Sequence, residues 1–461
     1  MTISPNGVNR FSMSLGSASM DNKINPLSND LSKPSSKPSS KLPSNKRQPW
    51  HLDKSVAPRL SKEITILGAG IAGCTTAVAL AKRGFNVRVI DRHPSAGSEG
   101  AGNNQAVVYP KLSPRDDLLP RINLSSMKFA SDYYKPFWDR DVGQQCGVLV
   151  LPESEKTASD FKIIGERFAD QPGFVQLQNN SELRGVSGLN LVAKQGLFFP
   201  QLGWLPPAEV CQQLLAQQGI PLLRVDIHKI VYSDNHWQLL EANGDLFLTS
   251  ESLVIANAFD CLQFEQTAFL PLTQLRGQIT ELQQSPASST LKTVICGEGY
   301  ITPQHKGVHS CGATYNKGVF TTELRPIDHQ TNLEQMSRTD EGLGEAIGPQ
   351  DIASLSGRAN YRCTTKDYLP IVGPVPNVPQ LLEDYAPLRR DARCEITSLG
   401  SYLPNLYVHC GMGSRGLSYA PLTSEVLAAE IAGETLPIED ELRLAMHPAR
   451  FLIRDLKKKR I

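Results

Sequence analysis

The sequence predicts an α/β protein in which a Rossmann-like nucleotide-binding domain, assembled from separated stretches of chain, carries an inserted sheet-rich second domain. Three observations predict it. A strand–turn–helix–strand unit opens at "EITILGAGIAG" (63–73). A second glycine cluster, "GMGSRGLSYAP" (411–421), runs into a helical pattern more than three hundred positions later. Between the two lie many short strand-like apolar runs.

The elements follow in order. Residues 1–60 are rich in Ser, Pro, Lys and Asn, as in "SNDLSKPSSKPSSKLPSNKRQPW" (28–50), and have too few large apolar groups to repay ordering. They are expected to be a disordered basic tail. "ITIL" (64–67) is a buried-strand run, "AGCTTAVALAKRG" (72–84) has helical spacing with a glycine stop, and "NVRVID" (86–91) is the next strand. Gly68, Gly70 and Gly73 stand in GxGxxG register, and Asp91 lies 23 residues after Gly68. The first glycine permits the tight turn and the second lets a pyrophosphate approach the helix N-terminus. The third allows close packing of helix on strand, and the acid takes a ribose hydroxyl.

Further on, "GWLPPAEVCQQLLAQQGI" (203–220) reads as a helix entered through two prolines. A meander covers 221–250, and "SLVIANAFD" (252–260) reads as a buried strand and turn. More strands fall in 269–315, and helical spacing returns at 421–433. The resulting division places the nucleotide-binding domain in 61–117, 200–268 and 361–446. The second, substrate domain takes 118–199 and 269–360, and 447–461 is left as a basic C-terminal tail.

The overall charge of +1 is unevenly spread. Residues 1–60 carry nine basic and three acidic side chains, and 447–461 carry six and one, leaving −10 for the body between them. A uniformly basic nucleic-acid surface is thereby excluded, and any such contact must be a local patch or a tail. The nine cysteines show no metal-type spacing, which points to reduced thiols, a cytoplasmic setting and no metal site. No apolar run approaches the ~18 residues of a membrane span, so no membrane partner is expected.

One glycine loop suffices for NAD. A long cofactor such as FAD, bound extended, places its pyrophosphate at the first loop and its flavin ring far away. A second helix N-terminus can stabilise negative charge on the reduced ring. The pair of loops therefore favours FAD, held by Gly68, Gly70, Gly73 and Asp91 at one end and by Gly411, Gly413, Ser414, Arg415, Gly416 and Leu417 at the other. No cysteine is obviously placed for a flavin bond, so the cofactor is expected to be non-covalent. The competing reading of the second cluster is a plain turn capping a helix at Pro421.

Residues 62–455 resemble the D-amino-acid oxidase/glycine oxidase superfamily of flavoenzymes. More closely, they resemble the FAD-dependent oxidoreductase half of the bifunctional enzymes that make 5-methylaminomethyl-2-thiouridine at the tRNA wobble position. The stretches that carry the resemblance are "GAGNNQAVVYPKLS" (100–113), "GWLPPAEV" (203–210), "LRGQIT" (275–280) and "GEGYITP" (297–303). "TKDYLPIVGPVP" (365–376), "GSRGLSYAPL" (413–422) and "HPARF" (447–451) complete the set, and "QPWH" (48–51) is similar to the linker that precedes this half.

The resemblance implies removal of a carboxymethyl group from a secondary amine on the wobble uridine. Hydride leaves the glycine-like methylene for the flavin, and the imine hydrolyses to glyoxylate and an aminomethyl group. It implies tRNA as a partner and places the loop Gly102, Asn103, Asn104 and Gln105 along the flavin. A free surface loop is the competing reading. A carboxylate clamp is implied at Arg362, in "YRCTTKDYLP", with Tyr300, in "GYITP"; Arg276, in "LRGQ", ranks behind them. Arg362 could instead pair with Asp367, and Tyr300 could be a core residue.

Two departures stand out. Asp91 occupies a position where glutamate is commoner, and Ser414 sits where glycine oxidases carry an active-site arginine, with Arg415 adjacent. A 60-residue tail is too short for the methyltransferase half, so either a separate methyltransferase is expected or the pathway through this protein stops at the aminomethyl product. The alternatives are an oxidase of free glycine, D-amino acids or small secondary amines, and a flavin-binding subunit without turnover.

Overall fold

β1 (Glu63–Leu67) is buried over its last four residues, an unbroken apolar run of the kind needed by a parallel strand covered on both faces. It pairs in parallel with β2 (Asn86–Asp91) on one side and with Leu253–Ile255 on the other. Leu222–Arg224 extends this sheet beyond β2, and Tyr402–Cys410 extends it beyond Leu253–Ile255. The antiparallel strand Ile371–Pro376 closes that edge, where its prolines cost no essential ladder donor. The computed structural model describes Leu52, Asp53 and residues 61–461.

α1 (Ile71–Ala81) is buried from Ala72 to Leu80, packed against the helices Gly416–Ala432 and Pro207–Gln217. Small side chains along α1 allow this close approach. α2 (Leu118–Trp138) also packs on Gly416–Ala432, through a face that includes Ile122, Met127 and Tyr134. It therefore belongs to the helical layer of the nucleotide-binding domain, and the expected boundary at residue 118 lies too early. An amphipathic pattern shows that a face is buried but not what buries it.

The second domain is a nine-stranded sheet. Its spine is an antiparallel ribbon of Leu272–Gln283 with Ser356–Thr365, in register from Leu272↔Thr365 to Glu281↔Ser356. The short strand Asn316–Lys317 pairs with Leu275 and Arg276 on the ribbon's other side. Helix Pro326–Thr339 packs on Leu272–Gln283.

Two terminal expectations are corrected. Residues 447–461 are not a loose tail: helix Arg450–Lys457 buries Phe451, Leu452, Ile453 and Leu456. The charge count hid its apolar face. At the other end, Leu52 is buried among Leu381, Tyr385, Leu388 and the C-terminal helix, and Asp53 accepts a 2.8 Å bond from Arg443. The expected tail thus cannot extend to residue 60, while its remaining residues, with "QPWH" (48–51), lie outside the described ones. All nine cysteines are free thiols. Among the described residues no helix is long and apolar enough to cross a membrane.

Candidate active site between two glycine loops

A cavity of about 420 Å³ joins the two glycine loops. At the first, Gly68 adopts φ +110° and its N–H donates to the carbonyl of Ile90 at 2.7 Å. A Cβ on Gly73 would fall 1.8 Å from the Gly68 carbonyl oxygen, so this glycine is demanded by packing. Gly70 differs. Its backbone is ordinary (φ −74°), and a Cβ there would meet no atom within 4 Å. Nothing among the described residues requires a glycine at 70, yet it lines the cavity at the first turn of α1, where an approaching pyrophosphate needs the space. The carboxylate of Asp91 accepts from the N–H of Ala69 at 2.7 Å and of His93 at 2.9 Å. It braces the loop first, leaving one lone pair on each oxygen for a ribose hydroxyl.

At the second loop Gly411 and Gly413 take φ +74° and +58°, and the Gly413 N–H donates to the Cys363 carbonyl at 2.7 Å. The helix begins at Gly416, five residues before Pro421, so the glycine cluster and not the proline forms its N-terminus. Ser414, Arg415, Gly416 and Leu417 all line the cavity. Beneath the loop, His409 is fully buried between Thr76 Oγ1 and Thr423 Oγ1, each 2.8 Å away. Burial holds its imidazole pKa down to about 3, so the ring is neutral.

Arg362 lies where the two domains meet. Its strand partner is Leu275, and its side chain crosses the ribbon over Gly277, the diagonal neighbour. A Cβ on Gly277 would stand 1.9 Å from Arg362 Nη1. Having crossed, Nη1 donates to the Thr314 carbonyl at 2.9 Å and the guanidinium stacks 4.6 Å from the centre of the Tyr315 ring. Nε and Nη2 have no acceptor among the described residues and can meet a carboxylate as a fork. The alternative pairing with Asp367 does not occur, because Arg450 takes that carboxylate through two 3.0 Å bonds. Burial raises the Asp367 pKa, but Arg450 outweighs it and holds the group below the usual carboxylate range. Tyr300 lines the same end of the cavity. Burial pushes its hydroxyl pKa up while nearby Arg362 pulls it down, so the phenol stays protonated and can donate.

Not every expected residue reaches the cavity. Arg276 is fully buried on the other side of its strand from Gly277, and it donates to Asp328 at 2.6 Å, Gln278 at 2.9 Å and the carbonyls of Thr321 and Glu323. Its expected role as a substrate ligand is corrected: side chains alternate along a strand, and the arginine next to Gly277 must face away. In the loop after β2, Asn103 lines the cavity. Asn104 instead donates to Glu281, Gln105 to the Pro303 carbonyl, and Gly102 makes room for the Arg358 guanidinium. These three support the loop without lining the cavity.

Other lining residues were not singled out from the sequence. Asn257 follows the strand "LVI" (253–255), and its side-chain oxygen is buried with no partner among the described residues. Tyr109, Tyr315 and Tyr361 also line the cavity, and of these Tyr315 stacks on Arg362. Cys363 and Cys410 also line the cavity, so thiols are placed nearer to it than expected; burial pushes the Cys363 pKa up, and the Cys410 thiol is raised by its hydrogen bond to Cys261 and by burial.

These features fit FAD: an unfilled cradle at Gly70, an unpartnered Asn257 side-chain oxygen on a residue packed against Gly68, and a second helix N-terminus at the second glycine loop. Comparison with known proteins agrees. Residues 63–430 match the model of the DAO family, "FAD dependent oxidoreductase". The "tRNA 5-methylaminomethyl-2-thiouridine biosynthesis bifunctional protein MnmC" of Stutzerimonas stutzeri is 36% identical over 415 residues, which are 89% of this chain and 62% of that protein. Its counterpart in Pseudomonas aeruginosa is 37% identical over 421 residues, 90% of this chain and 63% of that protein. The chain thus spans less than two thirds of the length of these curated relatives. Among solved structures, glycine oxidase from Geobacillus kaustophilus superposes with a TM-score of 0.65 at 18% identity, covering 84% of this chain and 98% of that one. L-proline dehydrogenase from P. horikoshii gives 0.64 at 18%, covering 86% and 99%. The chain belongs to the DAO family of FAD dependent oxidoreductases.

Proposed function

We propose that this oxidoreductase removes the carboxymethyl group from 5-carboxymethylaminomethyluridine, or its 2-thio form, at the wobble position of tRNA, giving the 5-aminomethyl nucleoside and glyoxylate. The observation that carries the reading is Arg362. It presents two unpaired guanidinium donors beside Tyr300, in a cavity that also holds the second glycine loop. The relatives named for tRNA 5-methylaminomethyl-2-thiouridine biosynthesis support the choice of substrate.

Bound FAD would supply the two-electron acceptor for the methylene C–H, after which water hydrolyses the substrate imine. The chain's own residues do the rest. Gly70, Asn257 and the N-terminus of α1 hold the pyrophosphate end, and the N-terminus of Gly416–Ala432 lies at the ring end. Arg362 binds the substrate carboxylate and, with the Tyr300 hydroxyl, fixes which methylene hydrogen points into the cavity. Tyr109, Tyr315 and Tyr361 add aromatic faces to the cavity wall. Neither Cys363 nor Cys410 is held as a thiolate, which favours non-covalent attachment: the yellow colour should leave the chain on denaturation. The methyl group in the relatives' named product falls to a methyltransferase acting afterwards. A cytoplasmic location follows from a tRNA substrate.

The test is mass spectrometry of tRNA nucleosides from cells with and without the gene. Accumulation of the carboxymethylaminomethyl nucleoside without the gene supports the proposal, and an unchanged profile refutes it. A second reading, oxidation of a free amino acid or small amine, is favoured by one observation: the same guanidinium fork would hold a free glycine carboxylate. Turnover of glycine or sarcosine with no change in tRNA would establish it.

A further inference from the structure

Arg276 belongs to "LRGQ" yet touches no part of the cavity, and what it holds is a surface loop. Its Nε donates to the Thr321 carbonyl at 2.7 Å and its Nη2 to that of Glu323, while Asp328 neutralises it at 2.6 Å. Gln278, two residues on, accepts from the Arg325 N–H at 2.9 Å and donates to the Arg325 carbonyl at 3.0 Å. Two buried side chains thus pin residues 321–325 from below. Phe320, 76% exposed, immediately precedes the pinned stretch, and Tyr315, 60% exposed, immediately precedes the short strand Asn316–Lys317. Tyr315 lines the cavity and has Arg362 against its ring. Phe320 stands just past Asn316–Lys317, the strand paired to Leu275 and Arg276.

Exposed aromatic rings cost solubility unless something covers them, and here the chain on either side of Phe320 is anchored, by strand pairing at Asn316–Lys317 and by Arg276 at Thr321 and Glu323. The charge around them identifies the occupant. From Tyr315 to Arg325 the chain has two cations, Lys317 and Arg325, against one acid, Glu323, in a body that is otherwise acidic. We propose that Tyr315 and Phe320 form a stacking platform for the unpaired nucleotides flanking the uridine that enters the cavity, with Lys317 and Arg325 beside their phosphates. The proposal rests on the RNA substrate inferred above. A wobble nucleotide entering the cavity must leave its stack, and its neighbours then need replacement faces, which aromatic side chains provide.

The test uses the FAD-loaded enzyme and a synthetic anticodon stem-loop whose wobble uridine carries the carboxymethylaminomethyl group, with 2-aminopurine at the next position. Fluorescence titration of the parent should show quenching on binding. Phe320→Ala should weaken binding by about 5- to 100-fold and reduce the quench at saturation, the usual range for losing one stacked base. Phe320→Tyr should restore both, and FAD content and melting temperature should not change in either variant. Phe320→Ala binding with the parent's affinity and quench overturns the platform while leaving the substrate assignment standing. No RNA binding by the parent overturns both. A change in self-association of Phe320→Ala with unaltered RNA affinity assigns the face to a second copy and also overturns the platform.

Discussion

A single methyl group at residue 277 tests whether Arg362 holds the substrate carboxylate. The Cβ of Gly277→Ala would lie 1.9 Å from Nη1, 2.4 Å from Cζ and 2.6 Å from Nη2 of Arg362. Carbon and nitrogen pack comfortably near 3.5 Å, so the guanidinium must retreat by about 1.5 Å. The backbone at 277 is not in the left-handed region, and the obstructing atoms are the far end of a flexible side chain. The fold should therefore survive, losing the Thr314 hydrogen bond, about 1.5–3 kcal/mol for a charged donor, and the Tyr315 stack, about 0.5–1 kcal/mol at this exposed ring. The substrate contact should not survive, because hydrogen bonds tolerate only a few tenths of an ångström. Removing a desolvated charge pair costs ~2–5 kcal/mol, roughly thirty- to several-thousand-fold in kcat/KM. The assay is anaerobic loss of the oxidised flavin's visible absorbance on mixing with substrate RNA at several concentrations. The RNA concentration for half-maximal rate should rise with FAD content unchanged. In the background of Arg362→Met the same alanine should add nothing further, since both act on one contact. Parent-like kinetics for Gly277→Ala, or a full additive loss in the double variant, would refute the reasoning.

Four further outcomes follow from the same geometry. Arg362→Met should lower kcat/KM by the same thirty- to several-thousand-fold and Arg362→Lys should restore only part of it, because an ammonium keeps the charge but not the fork; equal rates in Arg362→Met and parent would reject the clamp. Gly70→Val should fold with a near-parent melting temperature yet bind no FAD, whereas Gly73→Val should not fold, a contrast readable by circular dichroism and absorbance. His409 is neutral when folded, with a pKa near 3 against about 6.5 unfolded, so its contribution is complete above pH 6.5 and is lost as pH falls toward 3. Denaturant titrations should show stability dropping by up to about 1.4 kcal/mol per pH unit from this group across that window, and His409→Asn should flatten the slope. Deleting residues 1–47 should leave soluble, yellow protein, while deleting 1–55 should cost about 1.5–3 kcal/mol through loss of the buried Leu52, seen in urea midpoints.

The parts of this fold that could be read from sequence are those whose cause is local. β1, α1 and β2 follow from an apolar run, three glycines and a helical stripe within thirty residues. The second glycine loop was readable because a helix pattern follows it. What escaped is set by partners far along the chain. Whether Arg362 or Arg276 faces the cavity depends on strand parity and on the pairing Leu275↔Arg362, 87 positions apart, which no local pattern encodes. Asp367 beside Arg362 in sequence suggested an ion pair, but Arg450, 83 residues on, outcompetes it. The apolar face of Arg450–Lys457 was hidden among six basic residues, and Asn257 gave no signal beyond following a buried strand. Motif resemblance put all of 102–105 along the cofactor, but of these only Asn103 lines the cavity, and the other three are taken up by contacts with Glu281, Pro303 and Arg358.

The most direct test of the central claim is a single-turnover reaction of the purified, FAD-loaded chain with tRNA carrying 5-carboxymethylaminomethyluridine, under anaerobic conditions. The account predicts bleaching of the flavin, release of one glyoxylate per flavin reduced, and conversion of the nucleoside to its 5-aminomethyl form by mass spectrometry. A flavin that stays oxidised with this RNA, while free glycine or sarcosine reduces it, would contradict the account.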